Sequence, residues 1–276
     1  MTKWSQWRFS LVFTVLAGML TAIHGQPSND REAATVASYE VASVKPSSPQ
    51  EVRAVIMVRR DDSRLTAKSI TLKFLIQFAY GHEQALAPNL VVGGPAWYDK
   101  ARFDIEAKPE GRRIPSMEEH RQMLRALLAD RFKVSVHTES RQMTLLALVD
   151  DKGGPKIKPH KADDVGEHRG IGPGGTKGGQ QVSCRDVSMD ALASFLESTV
   201  FKSPVRNKTG LPGTFDFDLS WMPDETQFGG RYKSASPGEL PDLGTALREQ
   251  LGLQLRSEKG PVDVIVVDHA EQPSEN

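Results

Sequence analysis

The residues in this chain most able to do chemistry are two aspartates, each of which follows a phenylalanine in similar surroundings. Phe103-Asp104 and Phe217-Asp218 both lie in short alternating stretches that follow an apolar helix pattern. Two carboxylates act as general acid and general base when they converge in one cleft. Equivalent positions of two repeated segments lie apart, so each aspartate is expected to face solvent or to accept a backbone amide. We expect no catalytic residue, and an enzyme that uses Asp104, Asp218 or His137 is the second hypothesis.

The other reactive residue types form no recognisable site. Cys184 is the single cysteine, and it is predicted to be a small buried thiol at the start of a strand. The run 170–175 matches G-x-G-x-x-G by letter, but the strand before it and the helix after it that a dinucleotide site requires are not predicted. The histidines do not have the spacing of zinc ligands. We therefore expect no cofactor and no metal.

Two aromatic groups beside the Phe-Asp stretches are the candidates for partner binding. Trp97-Tyr98 precedes the first stretch, and Trp221 follows the second. Exposed aromatic residues beside loops are frequent anchors of recognition. The same residues also serve as lids on hydrophobic cores, and the sequence does not separate these two roles.

The chain contains the same order of elements twice, which predicts a duplicated module. Ser69 and Ser188 each precede an apolar helix pattern, and a Phe-Asp strand, a second helix and two closing strands follow. The two serines are 119 positions apart and Phe103 and Phe217 are 114 apart, so the register of the repeat shifts only in the loops. The predicted fold class is α+β, with two related tandem modules, each a small mixed sheet packed with two helices.

Local patterns place the elements of the first module. Alternation and β-branched residues predict its strands, and Ser69 is the expected N-cap of a helix that runs to Tyr80. Ser116 and Glu119 have the spacing of a capping box at the start of the second helix. The strands are predicted at 39–44, 52–59, 102–107, 132–138 and 144–149.

Composition divides the chain further. Lys3 and Arg8 precede an apolar run that is shorter than a membrane-spanning helix, which is typical of a secretory signal peptide cut near Gly25. A stretch rich in glycine and lysine is expected to be a flexible linker. The expected organisation is a signal peptide (1–25), a flexible segment (26–37), module 1 (38–150), the linker (151–181), module 2 (182–272) and a tail (273–276).

Charge and hydropathy narrow the choice of partner. Lys plus Arg and Asp plus Glu both number 35, so the formal net charge is zero. A nucleic-acid-binding protein usually has a basic surface, so we expect no nucleic acid. No later segment is apolar enough to span a bilayer after signal cleavage. We expect an exported protein, periplasmic or extracellular, whose partner is an unknown envelope protein or polymer.

Several runs of residues resemble the uncharacterised soil-associated family abundant in Acidobacteria. These runs are YEVASVKP (39–46), GGPAW (93–97), RFDIEA (102–107), LLADRF (127–132), KTGL (208–211) and LGL (251–253). The family has no established activity, so the resemblance implies no catalytic residues. Some relatives are fused to membrane metallopeptidases of the antibiotic-sensor type, which implies an extracytoplasmic sensing or binding role.

The second module is also similar in its order of elements to the short N-terminal domain of secretins and TonB-dependent receptors. Its Gly213-x-Phe215-x-Phe217 strand carries this likeness. Those domains bind envelope partners by sheet edges. The leading hypothesis is therefore an exported, non-catalytic binding protein of the bacterial cell envelope that pairs through a strand edge. The alternatives are an envelope hydrolase with a site between the modules and a small-ligand sensor with a deep apolar pocket.

Overall fold

The computed structural model describes residues 38–50, 54–59, 61–111, 113–161, 170–173, 179–232 and 240–273. Within these ranges the strands are β1 Tyr39–Pro46, β2 Val55–Val58, β3 Leu65–Thr71, β4 Val91–Gly93, β5 Arg102–Pro109, β6 Ser135–Asp150, β7 Lys158–Pro159, β8 Gly170–Pro173, β9 Gln180–Ser188, β10 Val205–Asn207, β11 Thr214–Trp221 and β12 Leu253–His269. The α-helices are α1 Leu72–Tyr80, α2 Met117–Arg131, α3 Met189–Phe195 and α4 Leu243–Ala246. Helices α3 and α4 continue as π-helical turns, Leu196–Phe201 and Leu247–Leu251, and a 3-10 turn spans Pro88–Leu90. The expected signal peptide and the segment 26–37 lie outside the described residues.

Both helices of the first half begin at a side-chain cap. The Thr71 hydroxyl accepts a backbone amide of the first turn of α1 at 3.3 Å. The prediction that Ser69 is this N-cap is therefore wrong, because Ser69 still belongs to β3 and has a φ of 53°. Ser116 and Glu119 form the predicted capping box at the start of α2.

The first outer sheet has the strand order β1-β5-β3-β2, and its neighbouring strands are antiparallel. One face of this sheet packs against α1 and α2. Leu65 of β3, Ile105 of β5, Leu75 of α1 and Leu124 of α2 are fully buried in this core. Burying such a side chain stabilises the fold by about 1.5–3 kcal/mol.

The second outer sheet repeats this strand order as β7-β11-β9-β8, again with antiparallel neighbours. Its core includes Leu192 of α3, Trp221 of β11 and Leu247, which directly follows α4. The strands of the two outer sheets correspond by position: β7 to β1, β11 to β5, β9 to β3 and β8 to β2. The α+β class predicted from the sequence is confirmed.

A middle sheet, with the order β10-β6-β12-β4, contains strands from both halves of the chain. The two long strands, β6 with 16 residues and β12 with 17, pair antiparallel from Leu253 opposite Asp150 to Val267 opposite Val136. β4 pairs parallel with β12, and β10 pairs parallel with β6. Each half therefore supplies a short strand to the long strand of the other half, which the prediction of two tandem modules did not anticipate.

The prediction of two closing strands in each half is wrong, because each predicted pair is one continuous strand. Residues 139–142, which belong to neither predicted strand, are exposed and lie within β6. They are polar because this part of the β6–β12 ribbon faces solvent, and the backbone ladder continues through them.

The described part of the predicted linker, 151–181, contains regular structure. Pro159 of β7 lies opposite Phe215, and Ile171 of β8 lies opposite Cys184. Few large side chains are needed here because backbone hydrogen bonds to β11 and β9 order these residues. Residues 162–169 and 174–178 lie outside the described residues. None of the described helices is long and apolar enough to cross a membrane.

Candidate interaction surface

The three aromatic residues predicted as partner anchors lie in or against the hydrophobic cores. Trp221 has no exposed surface. Its indole N–H donates to Gln227 Oε1 at 2.8 Å, and its ring stacks on Phe228 with the centroids 6.1 Å apart. Tyr98 is 7% exposed, and Trp97 is half-buried with its ring edge-on to a core phenylalanine. This placement favours their role as lids on the cores.

The residues considered for a hydrolase each have their own partners in different sheets. Asp104 lies in the first outer sheet, whereas Asp218 lies in the second and accepts the Ser183 hydroxyl at 2.8 Å. His137 lies in the middle sheet, with its Nδ1 2.9 Å from a carboxylate oxygen of Asp268. Among the described residues, no hydrogen bond or ion pair joins any two of Asp104, Asp218 and His137. The structure therefore does not bring them together.

The carboxylate that corresponds to Asp104 in the second outer sheet is Asp216, not Asp218. Asp104 Oδ1 accepts the amide of Ser69 at 3.0 Å, and Asp216 Oδ1 accepts the amide of Asp186 at 2.9 Å. Ser69 and Asp186 have φ values of 53° and 56°, in the left-handed region that such residues rarely adopt. Each lies at a β-bulge, in β3 or β9, where the register with the neighbouring strand shifts and the ladder then resumes. The alignment of the two Phe-Asp pairs by sequence is therefore wrong by two residues.

Both of these carboxylates are stabilised in the ionised form. Burial alone would raise the pKa of Asp104, but hydrogen bonds from the Ser47 hydroxyl and the Ser69 amide outweigh it and lower the pKa. Burial opposes ionisation of Asp216 too, but the amide of Asp186 together with His160 lowers its pKa. Both carboxylates thus hold the backbone at a β-bulge.

The remaining reactive groups form no site among the described residues. Cys184 is fully buried, as predicted, and burial, with a smaller effect of Asp218, raises the pKa of its thiol to about 12. The first four residues of the glycine-rich run form β8, and 174–175 lie outside the described residues. In the described ranges no group of three or more His, Cys, Asp or Glu residues could hold a metal ion.

The first outer sheet has two edge strands, β1 and β2, and β2 is the candidate for binding. It pairs with β3 on one side and with no described strand on the other. The amide of Arg59 donates to the carbonyl of Arg64 at 2.9 Å, one step beyond the last pair of the β2–β3 ladder. Because hydrogen-bonded and non-hydrogen-bonded pairs alternate in antiparallel strands, Ile56 and Val58 turn their N–H and C=O groups away from β3. Such an edge can pair with a strand of another chain.

A cavity of ≈ 570 Å³ lies at the end of the sheet where β2 begins. Its volume is within the range of about 300–1,000 Å³ found for ligand pockets. Val55 and Ile56 belong both to β2 and to the cavity wall, so a strand added to this edge would lead into the cavity. The wall is mainly apolar and includes Val55, Ile56, Ile70, Phe74, Thr71 and Arg102.

Arg102 alone is charged among the described residues that line this cavity. Its Nη1 donates to the carbonyl of Ser69 at 2.7 Å, and Asp104 accepts the amide of the same serine. Asp104 thus positions Arg102 through Ser69. A guanidinium has five N–H donors, so this bond leaves donors for a further acceptor at the cavity mouth.

The other sheet edges are less suited to strand addition. β8, which has the place of β2 in its own sheet, ends in Pro173, and proline has no N–H to donate. Two smaller cavities, of ≈ 220 and ≈ 290 Å³, lie beside β1, and Asp130 and Arg131 border both of them. The larger one is also bordered by the C-terminal residues 271–273. β4 and β10 have three residues each. Among these edges, β2 is thus the one that combines an apolar strand with a mainly apolar cavity.

Sequence reasoning did not find this surface. Residues 52–59 were predicted as a strand, but the pairing that makes β2 an edge is not visible along the chain. No local signal marks Arg102 either, because its role arises from the carbonyl of Ser69, which lies 33 positions away in the chain.

The fold and this surface define an α+β protein with two matching outer sheets, a shared middle sheet and an open apolar strand edge. The chain belongs to the DUF3738 family, described as a protein of unknown function, which matches residues 73–270. The match begins within α1, so β1, β2 and β3 precede it. No curated protein and no solved structure matches this chain.

Proposed function

We propose that this protein is an exported, non-catalytic binding protein of the bacterial cell envelope that holds an extended segment of an envelope partner on the edge of β2. The observation that carries the proposal is the edge itself, where no described strand pairs with the outward backbone groups of Ile56 and Val58 beside a mainly apolar cavity. Main-chain bonds supply affinity in strand addition, and a neighbouring pocket supplies specificity.

The sequence supports the envelope location. The basic and apolar residues of 1–25 have the pattern of a secretory signal peptide, although they lie outside the described residues. We propose that the family is the soil-associated one abundant in Acidobacteria, on the motifs quoted above. The likeness to the secretin and TonB short N-terminal domain agrees with binding by a sheet edge. The matching strand orders of the outer sheets support an internal duplication.

A second candidate function, a small-ligand sensor, is supported by the volume of the cavity. We favour the extended segment because the cavity shares Val55 and Ile56 with an unpaired strand edge, which a small ligand would leave unused. An envelope hydrolase has less support, since Asp104, Asp218 and His137 have separate partners.

The proposal is tested by selecting random octapeptides on the purified protein from two display libraries. One library displays the peptides as internal segments and the other with free carboxyl ends. Affinities of the selected peptides are then measured by fluorescence anisotropy for the wild type and for Val58→Pro. This substitution removes an outward N–H without removing a β2–β3 hydrogen bond, so we expect peptide binding to weaken about tenfold or more.

Ala42→Pro is the matched control for Val58→Pro. Ser47 donates its amide to the Arg102 carbonyl at 2.9 Å, and alternation from that pair turns the amide of Ala42 outward on the other edge strand, β1. Ala42→Pro should therefore leave peptide affinity unchanged. Failure of both libraries, or a binder that is insensitive to Val58→Pro, would overturn the proposal.

A further inference from the structure

We infer that the bound segment is the carboxyl end of its chain, which runs antiparallel to β2 and places its terminal carboxylate on Arg102 at the cavity. This inference rests on the proposed function and adds the polarity and the chemistry of the occupant. It follows from the position of the cavity, from the charge on its wall and from the way in which Arg102 is held.

Because the cavity lies at one end of β2, the direction of the added strand determines which end of the bound segment reaches the cavity. The cavity adjoins the first residues of β2, Val55 and Ile56. An added strand antiparallel to β2 therefore brings its carboxyl end to the cavity, whereas a parallel strand brings its amino end. The existing pairs of this sheet are antiparallel, and antiparallel pairing is slightly more stable per residue.

The charge at the cavity selects between these two directions. Arg102 is the charged residue of the described wall, and no acidic residue lines it. A terminal ammonium group would be repelled by the guanidinium, whereas a carboxylate would accept charge-assisted hydrogen bonds from it. The N-terminal end of α1, beside Thr71, has a partial positive charge that acts in the same direction.

Arg102 is held in place by backbone, and no carboxylate of the described residues competes for its side chain. Its Nη1 donates to the Ser69 carbonyl, and Asp104 fixes that serine through its amide. Arg102 itself is exposed, so its remaining donors face the cavity mouth or solvent. In the second outer sheet the corresponding position is Thr214, whose hydroxyl donates to Asp186 at 2.7 Å. The carboxylate site is thus a property of the first outer sheet.

The apolar part of the wall specifies the rest of the ligand. Ile56, Ile70 and Phe74 surround a space that an apolar side chain of the last residues would fill. The segment is therefore expected to end in an apolar residue with a free carboxylate, preceded by residues that pair with Ile56 and Val58. A free apolar carboxylic acid shares this chemistry but would not pair with the edge.

The test compares one selected peptide made with a free carboxylate and with a carboxyl-terminal amide. On the wild-type protein we expect the amide to bind about 10- to 100-fold more weakly, the range expected for hydrogen bonds to a charged group. In Arg102→Gln the two forms should bind with equal affinity, and the amide should bind as it does to the wild type within about twofold. Arg59→Gln, at the far end of β2, removes a positive charge without touching the cavity and should keep the full preference for the carboxylate.

Each outcome separates this inference from the proposed function. If peptides bind at the β2 edge but the amide binds as well as the acid, or if Arg102→Gln keeps the preference, the carboxylate inference fails and the proposed function stands. If no peptide binds, both fail. If octanoate binds as tightly as the peptide and is insensitive to Val58→Pro, the occupant is a small acid and the inference is overturned. Loss of the preference in Arg59→Gln would also overturn it.

Discussion

Replacing Asp104 by alanine is expected to destabilise the protein far more than replacing Asp218. Asp104 accepts the amide of Ser69 at 3.0 Å and the hydroxyl of Ser47 at 2.6 Å, and Ser69 has no exposed surface. Depriving a buried amide of this acceptor costs about 1–3 kcal/mol, and the lost hydroxyl bond costs about 0.5–1.5 kcal/mol more. We therefore expect Asp104→Ala to lower the free energy of unfolding by about 2–4 kcal/mol.

Asp218 supplies the matched control, because the sequence alone pairs it with Asp104. The Asp218 side chain is 52% exposed, and it bonds to Ser183 and Arg185 at the surface. Exposed ion pairs contribute about 0–1 kcal/mol, so Asp218→Ala should have little effect. Asp216→Ala should lie between the two, at about 1–3 kcal/mol, because the amide that it accepts is only partly buried.

Urea unfolding followed by far-UV circular dichroism at pH 7 gives the free energy of unfolding for each variant. The melting temperature of Asp104→Ala is expected to fall by about 4–16 °C, at about 2–4 °C per kcal/mol for a protein of this size. If Asp218→Ala costs as much as Asp104→Ala, or if Asp104→Ala costs less than about 0.5 kcal/mol, the assignment of Asp104 and Asp216 as the equivalent carboxylates that hold the two bulges is refuted.

Three further predictions concern the core and the effect of pH. Trp221→Ala should cost about 3–5 kcal/mol in urea unfolding, since its ring is fully buried; an unchanged stability would indicate a surface anchor instead. Folding lowers the pKa values of Asp104 and Asp216. Both carboxylates therefore stabilise the protein at a pH above the pKa of unfolded aspartate, near 4. This contribution is lost as the pH falls through their pKa values in the folded protein. Urea midpoints at pH 7, 4 and 3 should show this loss, and Asp104→Asn should reduce it; an equally steep fall in that variant would contradict the role of Asp104. Burial raises the pKa of Cys184 to about 12, so iodoacetamide at pH 8 should modify it only after unfolding, and rapid alkylation of the native protein would contradict this.

Local signals in the sequence predicted the elements that depend on neighbouring residues. The capping box of Ser116 and Glu119 is a contact over three positions, and it begins α2 as predicted. Alternation in 102–107 predicted β5, because Phe103, Ile105 and Ala107 are buried on one face of that strand, although Asp104 on the other face is buried too. These patterns are strong because the burial of one face of a helix or strand imposes a fixed period on the sequence.

Features that depend on pairing between distant strands were not predictable in this way. The continuity of β6 through the polar residues 139–142 depends on β12, which lies more than one hundred positions away. The residue equivalent to Asp104 in the second outer sheet, Asp216, is set by the bulges at Ser69 and Asp186, whose positive φ values have no glycine to mark them. The β2 edge likewise exists only because nothing in the described chain pairs with its outer side.

Amide hydrogen exchange at β2, measured by NMR with and without a selected peptide, tests strand addition most directly. The amides of Val55 and Met57 face β3 and should exchange slowly in both states, whereas those of Ile56 and Val58 should exchange quickly in the free protein. On binding, we expect the Ile56 and Val58 amides to become protected while the other two change little. Protection confined to other parts of the protein, with these two amides unaffected, would contradict binding at the edge of β2.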